Sequence, residues 1–149
     1  MNPIRTLLVD DQLMVLTEMH SLLESHQDVV VVGEAGSGAE AITMACALQP
    51  DVVLLDIAMP CMTGIEAAPL IRKASPDTSI VILSMHSQPA YILEALRAGA
   101  IGYVSKTAPA SHILRAIHLA SVGKRYMFPE MSSVAIDSLL NDAGAEYPN

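Results

Sequence analysis

Five short apolar runs recur at fairly even spacing in this chain of 149 residues, at 4–9, 29–32, 52–55, 80–83 and 101–104. They are rich in Val, Ile and Leu and do not alternate with polar residues, so each suits a strand buried on both faces of a parallel sheet. The stretches between them carry helical spacing instead. Leu13, Leu16, Met19, Leu22 and Leu23 mark one helix, and Ala41, Met44, Ala45 and Leu48 a second. A third is expected over 64–74 and a fourth over 89–98, where Ile92, Ala95 and Leu96 are apolar. Ile113, Ala116, Ile117 and Ala120 mark a fifth, with Ser111 as its N-cap. Gly33, Gly36, Gly38, Gly99 and Gly123 punctuate the joints.

Strand followed by helix, five times over, predicts an α/β domain. It is a (βα)5, doubly wound, five-stranded parallel sheet with right-handed crossovers and helices on both faces. The pattern changes after Gly123. The domain is therefore expected to span 1–123, with 124–149 a linker. Within the linker, 125–129 reads as a connector, 132–140 as one more short helix, and 142–149 as a flexible tail.

Composition narrows the class of function. A formal net charge of −8, with eight scattered Lys and Arg, argues against direct binding of nucleic acid. Cys46 and Cys61 form no CxxC pair, and the N-terminus has no signal-peptide pattern, as expected for reduced thiols in a cytoplasm. No apolar run approaches the roughly 20 residues that span a bilayer.

In a doubly wound sheet, ligands bind beyond the carboxyl ends of the strands. The first run ends in Asp10 and Asp11, the third in Asp56, the fourth in Ser84, and Lys106 follows the fifth. Taken singly, each has a plainer role: Asp10 or Asp11 as a helix cap, Asp56 in a turn, Ser84 as a strand-end hydroxyl, Lys106 as a surface cation. Taken together they converge on one sheet edge. Three carboxylates there repel one another unless a cation is present, and Mg²⁺ suits such hard oxygen ligands and pairs them with phosphate. A carboxylate can also attack phosphorus to give an aspartyl-phosphate.

The residues Leu7-Leu8-Val9-Asp10-Asp11, Leu54-Leu55-Asp56-Ile57-Ala58-Met59-Pro60 with Gly64, Leu83-Ser84-Met85-His86, and Ala98-Gly99-Ala100-Ile101-Gly102-Tyr103-Val104-Ser105-Lys106 carry a family resemblance. Over about residues 4–122 the sequence resembles the receiver domains of two-component response regulators, most closely the NarL/LuxR branch. The resemblance implies a flavodoxin-like fold and a switch rather than a turnover enzyme. By position, Asp56 would be the phosphoacceptor. Asp10, Asp11, Asp56 and the backbone carbonyl of Ala58 would hold Mg²⁺. Ser84 and Lys106 would bind the phosphoryl group, and Tyr103 would be the aromatic switch, turning inward as Ser84 moves toward the phosphate. A sensor histidine kinase would be the donor, and a phosphorylation-linked homodimer the readout, through a face including Tyr91 and Ile92 or one formed by the first and fifth helices. DNA would be reached only through a C-terminal helix-turn-helix domain that this sequence does not contain, so a fragment of a longer regulator is favoured over a stand-alone receiver.

Some positions depart from the commonest pattern. Thr107 follows Lys106 where Pro is usual, Cys61 stands where Gly is frequent, and Pro69 falls inside the third helix, where it removes a backbone donor and is expected to kink or delay it. Ala58 and His86 occupy positions that tune dephosphorylation in the family. Two other classes of function compete. A phosphohydrolase of the haloacid dehalogenase type would need a second Asp two residues after Asp56, where Ala58 stands. A pseudo-receiver would act only by binding, and the complete residue set counts against it. His20, His26, His112 and His118 form no metal-ligand set.

Overall fold

The strands alternate their side chains between two helical layers, and that alternation organises the domain. The computed structural model describes residues 2–86 and 88–129. Its elements run β1 (Ile4–Val9), α1 (Leu13–Glu24), β2 (Val29–Ala35), α2 (Gly38–Leu48), β3 (Val52–Asp56), α3 (Gly64–Ala74), β4 (Ser79–Ser84), α4 (Pro89–Arg97), β5 (Gly102–Ser105), α5 (Ala110–Ser121) and β6 (Tyr126–Phe128). All strands pair in parallel, in the order β2-β1-β3-β4-β5-β6. Val53, Leu55, Ile80, Ile82 and Tyr103 face α2, α3 and α4, packing on Ala41, Ala45, Ala67, Ala68, Ile71 and Ala95. Val52, Leu54, Val81, Leu83 and Val104 point the other way, onto Leu16 and Leu23 of α1 and Ile113, Ala116 and Ile117 of α5. Burial on both faces of the central strands β3, β4 and β5 is the reason their runs do not alternate in polarity.

Local chemistry sets the helix starts. Thr63 and Glu66 form a reciprocal capping box at α3, and Ser37 accepts from the Glu40 N–H at α2. The expected Ser111 cap is not used: α5 begins at Ala110, with Pro109 at the N-cap position and no side-chain cap. Proline's fixed φ suits a helix entrance, and Ser111 falls within the first turn. α3 starts at Gly64 and continues past Pro69, so the proline does not delay it.

Among the described residues the expected five-stranded sheet has six strands. Residues 125–129, read as a connector, contain β6, which pairs with β5 and carries the sheet beyond position 123. Only three residues pair, too few to leave a strand-length apolar run in the sequence. β2 also extends through Glu34 to Ala35, beyond its apolar run. The expected helix over 132–140 lies outside the described residues.

Candidate functional site

The strand order reverses between β1 and β3, so the loops after these two strands part and leave a crevice above their carboxyl ends. β1 delivers Asp10 and Asp11 there, β3 delivers Asp56, β4 Ser84, and the turn after β5 Lys106. Carboxylate oxygens of Asp10, Asp11 and Asp56 all lie within 4.8 Å of one another. Asp10 and Asp56 are buried, at 3% and 4% exposure, whereas Asp11 faces solvent. The cleft measures about 290 Å³ and is lined by Gln12, Val15, Asp56, Ala58, Ser84, Met85, His86 and Lys106.

Lys106 bridges two of the carboxylates, its Nζ 2.9 Å from Asp56 Oδ1 and 3.0 Å from Asp10 Oδ2. Burial alone would lower the pKa of this ammonium, but its bonds to Asp56 and Asp10 outweigh burial and hold it above the ordinary value. At Asp56 burial dominates and pushes the carboxyl up, with Lys106 pulling it back and Asp10 adding to the rise. Asp10 does not cap α1, whose N-cap position is Gln12, and its two oxygens divide between the loop and Lys106. Its Oδ1 accepts from the Gln12 N–H at 2.9 Å, ordering the turn into α1, while its Oδ2 holds Lys106.

The backbone around Asp56 is fixed by close approach. Gly64 N–H donates to Ile57 O at 2.9 Å, and a Cβ at Gly64 would stand 2.3 Å from the Asp56 carbonyl oxygen, so only glycine lets α3 start here. Cys61, exposed in the same loop, has a φ of 69°, the left-handed region that glycine adopts most readily. Ser84 and Lys106 are linked through the sheet, Lys106 N–H donating to Ser84 O at 2.8 Å.

Tyr103 is brought near the site but not into it. Its ring is fully buried, and its hydroxyl donates to His86 O at 2.7 Å. Burial raises its phenol pKa. The His86 N–H donates to Ser84 Oγ at 2.9 Å, and the His86 ring stacks on Tyr91 at 4.4 Å. Sequence reasoning missed Gln12, Val15 and Met85 as cleft residues. Gln12 and Met85 are signalled by adjacency to Asp11 and Ser84, and Val15 by its place in the first turn of the helix that follows Asp11.

This arrangement has counterparts among known proteins. A sequence model of the response regulator receiver domain matches residues 6–118. The chain belongs to the response regulator receiver family. Among curated relatives of this receiver, the uncharacterized transcriptional regulatory protein YxjL of Bacillus subtilis (strain 168) is 40% identical over 121 residues, covering 81% of this chain and 56% of that protein. The nitrate/nitrite response regulator NarL of Escherichia coli (strain K12) is 35% identical over 137 residues, covering 92% of this chain and 63% of NarL. The chain thus spans less than two thirds of the length of either. A crystal structure of a LuxR-family two-component response regulator from Aurantimonas sp. SI85-9A1 superposes with a TM-score of 0.80 at 32% identity, covering 97% of this chain and all of that one. These relatives place the receiver in the NarL/LuxR branch and bear out the flavodoxin-like fold. No helix among the described residues is long and apolar enough to cross a membrane.

Proposed function

We propose that Asp56 accepts a phosphoryl group and that the receiver changes conformation in response. The observation that carries this is a nucleophilic carboxylate at the end of a central strand, 4% exposed, with Lys106 Nζ at 2.9 Å and two further carboxylates beside it. An Asp56 oxygen attacks phosphorus of a phosphohistidine in a sensor histidine kinase. The P–N bond breaks, its electrons return to the imidazole with a proton, and an acyl phosphate remains. Lys106 offsets negative charge on the transferring oxygens, and the Ser84 hydroxyl, while accepting from His86, keeps its own proton to donate. Hydrolysis reverses the bond, a water oxygen attacking phosphorus and the Asp56 carboxylate leaving.

Three clustered carboxylates, two of them buried, carry more negative charge than Lys106 offsets, and all offer the hard oxygens that Mg²⁺ prefers. Asp10, Asp11, Asp56 and the backbone carbonyl of Ala58 would hold that ion. Once bound it would supply positive charge against the phosphoryl oxygens.

Tyr103, Ser84 and the His86 backbone form one hydrogen-bonded series, which supports Tyr103 as the switch that follows Ser84. The downstream consequences are a phosphorylation-linked homodimer and, in the cytoplasm, control of transcription through a C-terminal DNA-binding domain outside this chain. On this reading the phosphorylated unit runs through β6, and the residues beyond it would be the link to its output.

The test is to incubate the protein with acetyl phosphate and Mg²⁺, reduce with borohydride, and map the peptides. An acyl phosphate at Asp56 is reduced to homoserine at that position alone. Homoserine at another position, or a stable phosphate surviving reduction on a serine, would overturn the assignment.

A further inference from the structure

β6 is the strand that five strand–helix repeats do not require, and it is held on both faces. Tyr126 N–H donates to Ile101 O at 3.2 Å, and the register sets Met127 opposite Tyr103 and Phe128 opposite Val104. Because strand side chains alternate, these residues part to opposite faces. Met127 is buried in the same cluster as Tyr103. Tyr126 and Phe128 turn to the α5 face, where the His112 ring stacks on Phe128 at 3.8 Å and its Nδ1 meets the Tyr126 hydroxyl at 2.5 Å. Three paired residues give a strand little ladder energy of its own, so these side-chain contacts are what fasten it.

We propose that β6 is a moving part of the switch, docking against the inward ring of Tyr103 and passing that ring's state to the chain beyond Pro129. This rests on the proposed role of Tyr103 at the phosphorylation site. With the ring inward, as here, Met127 has a full neighbour across the strand pair. With the ring outward, the space beside Met127 opens, and β6 loses packing on that face. The two states are therefore linked, and linkage acts in both directions. A phosphoryl group that draws Tyr103 inward tightens β6, and a tightly clipped β6 favours the phosphoryl-bound state. Two aromatic rings and a histidine on the opposite face let the strand respond as a unit rather than fray residue by residue. The clip lies on α5 and β6 and includes none of the residues lining the cleft, so it can be altered without touching the chemistry.

Amide hydrogen exchange on the full chain, with and without Mg²⁺ and fluoroberyllate as a phosphoryl mimic, tests this through peptides covering 52–60 and 124–129. Both are expected to slow, the second by about fivefold, the lower end of ordinary coupling between sites. His112→Ala is expected to weaken fluoroberyllate binding by a similar factor. Tyr126→Phe, which removes only the hydroxyl bonded to His112, should shift binding in the same direction by less. Slowing at 52–60 with no change at 124–129, or unchanged fluoroberyllate affinity in both variants, would overturn the coupling and leave the phosphoacceptor assignment standing. No response in either peptide would overturn both.

Discussion

Replacing Lys106 with methionine removes the ammonium that stands 2.9 Å from Asp56 and 3.0 Å from Asp10 while keeping most of the side chain's volume. Both carboxylates then remain largely out of water with no cation in contact. Removing one partner of a buried ion pair destabilises by about 3–5 kcal/mol. Lys106 keeps 18% side-chain exposure and the cleft admits water, so the lower end, about 3 kcal/mol, is expected. For a chain of this length that is a fall of about 6–12 °C in Tm. Urea unfolding at neutral pH in the presence of a chelator measures the deficit directly. Saturating Mg²⁺ should shrink it, because a divalent cation among the three carboxylates restores the missing charge. Acid should shrink it as well. Burial raises the folded pKa of Asp56 above its unfolded value of 3.8, so its contribution to stability is fully present below 3.8 and is lost as pH rises through the folded value. Without Lys106 that loss is larger, and neutral pH is where the variant suffers most. A variant within about 0.5 kcal/mol of wild type in chelator would refute the electrostatic account of this cleft.

Gly64→Ala is expected to destabilise by about 2 kcal/mol, because its Cβ would meet the Asp56 carbonyl oxygen. It should also slow phosphorylation by acetyl phosphate, and an unchanged rate would show that the Asp56 backbone tolerates displacement. At His118 burial alone would lower the pKa, but hydrogen bonds to Asp28 and to the Leu114 carbonyl raise it above 6.5. The bond to Asp28 therefore stabilises most below pH 6.5 and fades as pH rises through the folded value. The difference in urea midpoint between wild type and His118→Gln should narrow over that window; a constant difference would contradict it. His20, raised chiefly by its hydrogen bond to Glu34, should behave likewise in His20→Gln.

Elements buried on both faces were legible in the sequence, because complete burial forces the unbroken Val, Ile and Leu runs that mark β3 and β4. The site was legible for a related reason. Asp10, Asp11, Asp56, Ser84 and Lys106 each follow such a run, so placing the strands places the side chains. β6 was hidden because Tyr126-Met127-Phe128 is too short to set a period, and its stability comes from His112 and Tyr103, distant in sequence. The α5 cap was misplaced because serine suits an N-cap on propensity, whereas the helix starts at Ala110 and leaves Ser111 inside its first turn. The pairing of Asp10 with Lys106 was beyond sequence reasoning, since the two stand 96 positions apart and meet only once the sheet is built.

The most direct test of the central claim is the intact mass of the protein after incubation with acetyl phosphate, with and without Mg²⁺, for wild type and Asp56→Asn. One phosphoryl adduct that requires Mg²⁺ and is absent from Asp56→Asn is expected. An adduct that persists in Asp56→Asn would place the acceptor elsewhere, and folded wild-type protein that takes up no phosphoryl group, from acetyl phosphate or from a cognate kinase, would make this chain a binding module.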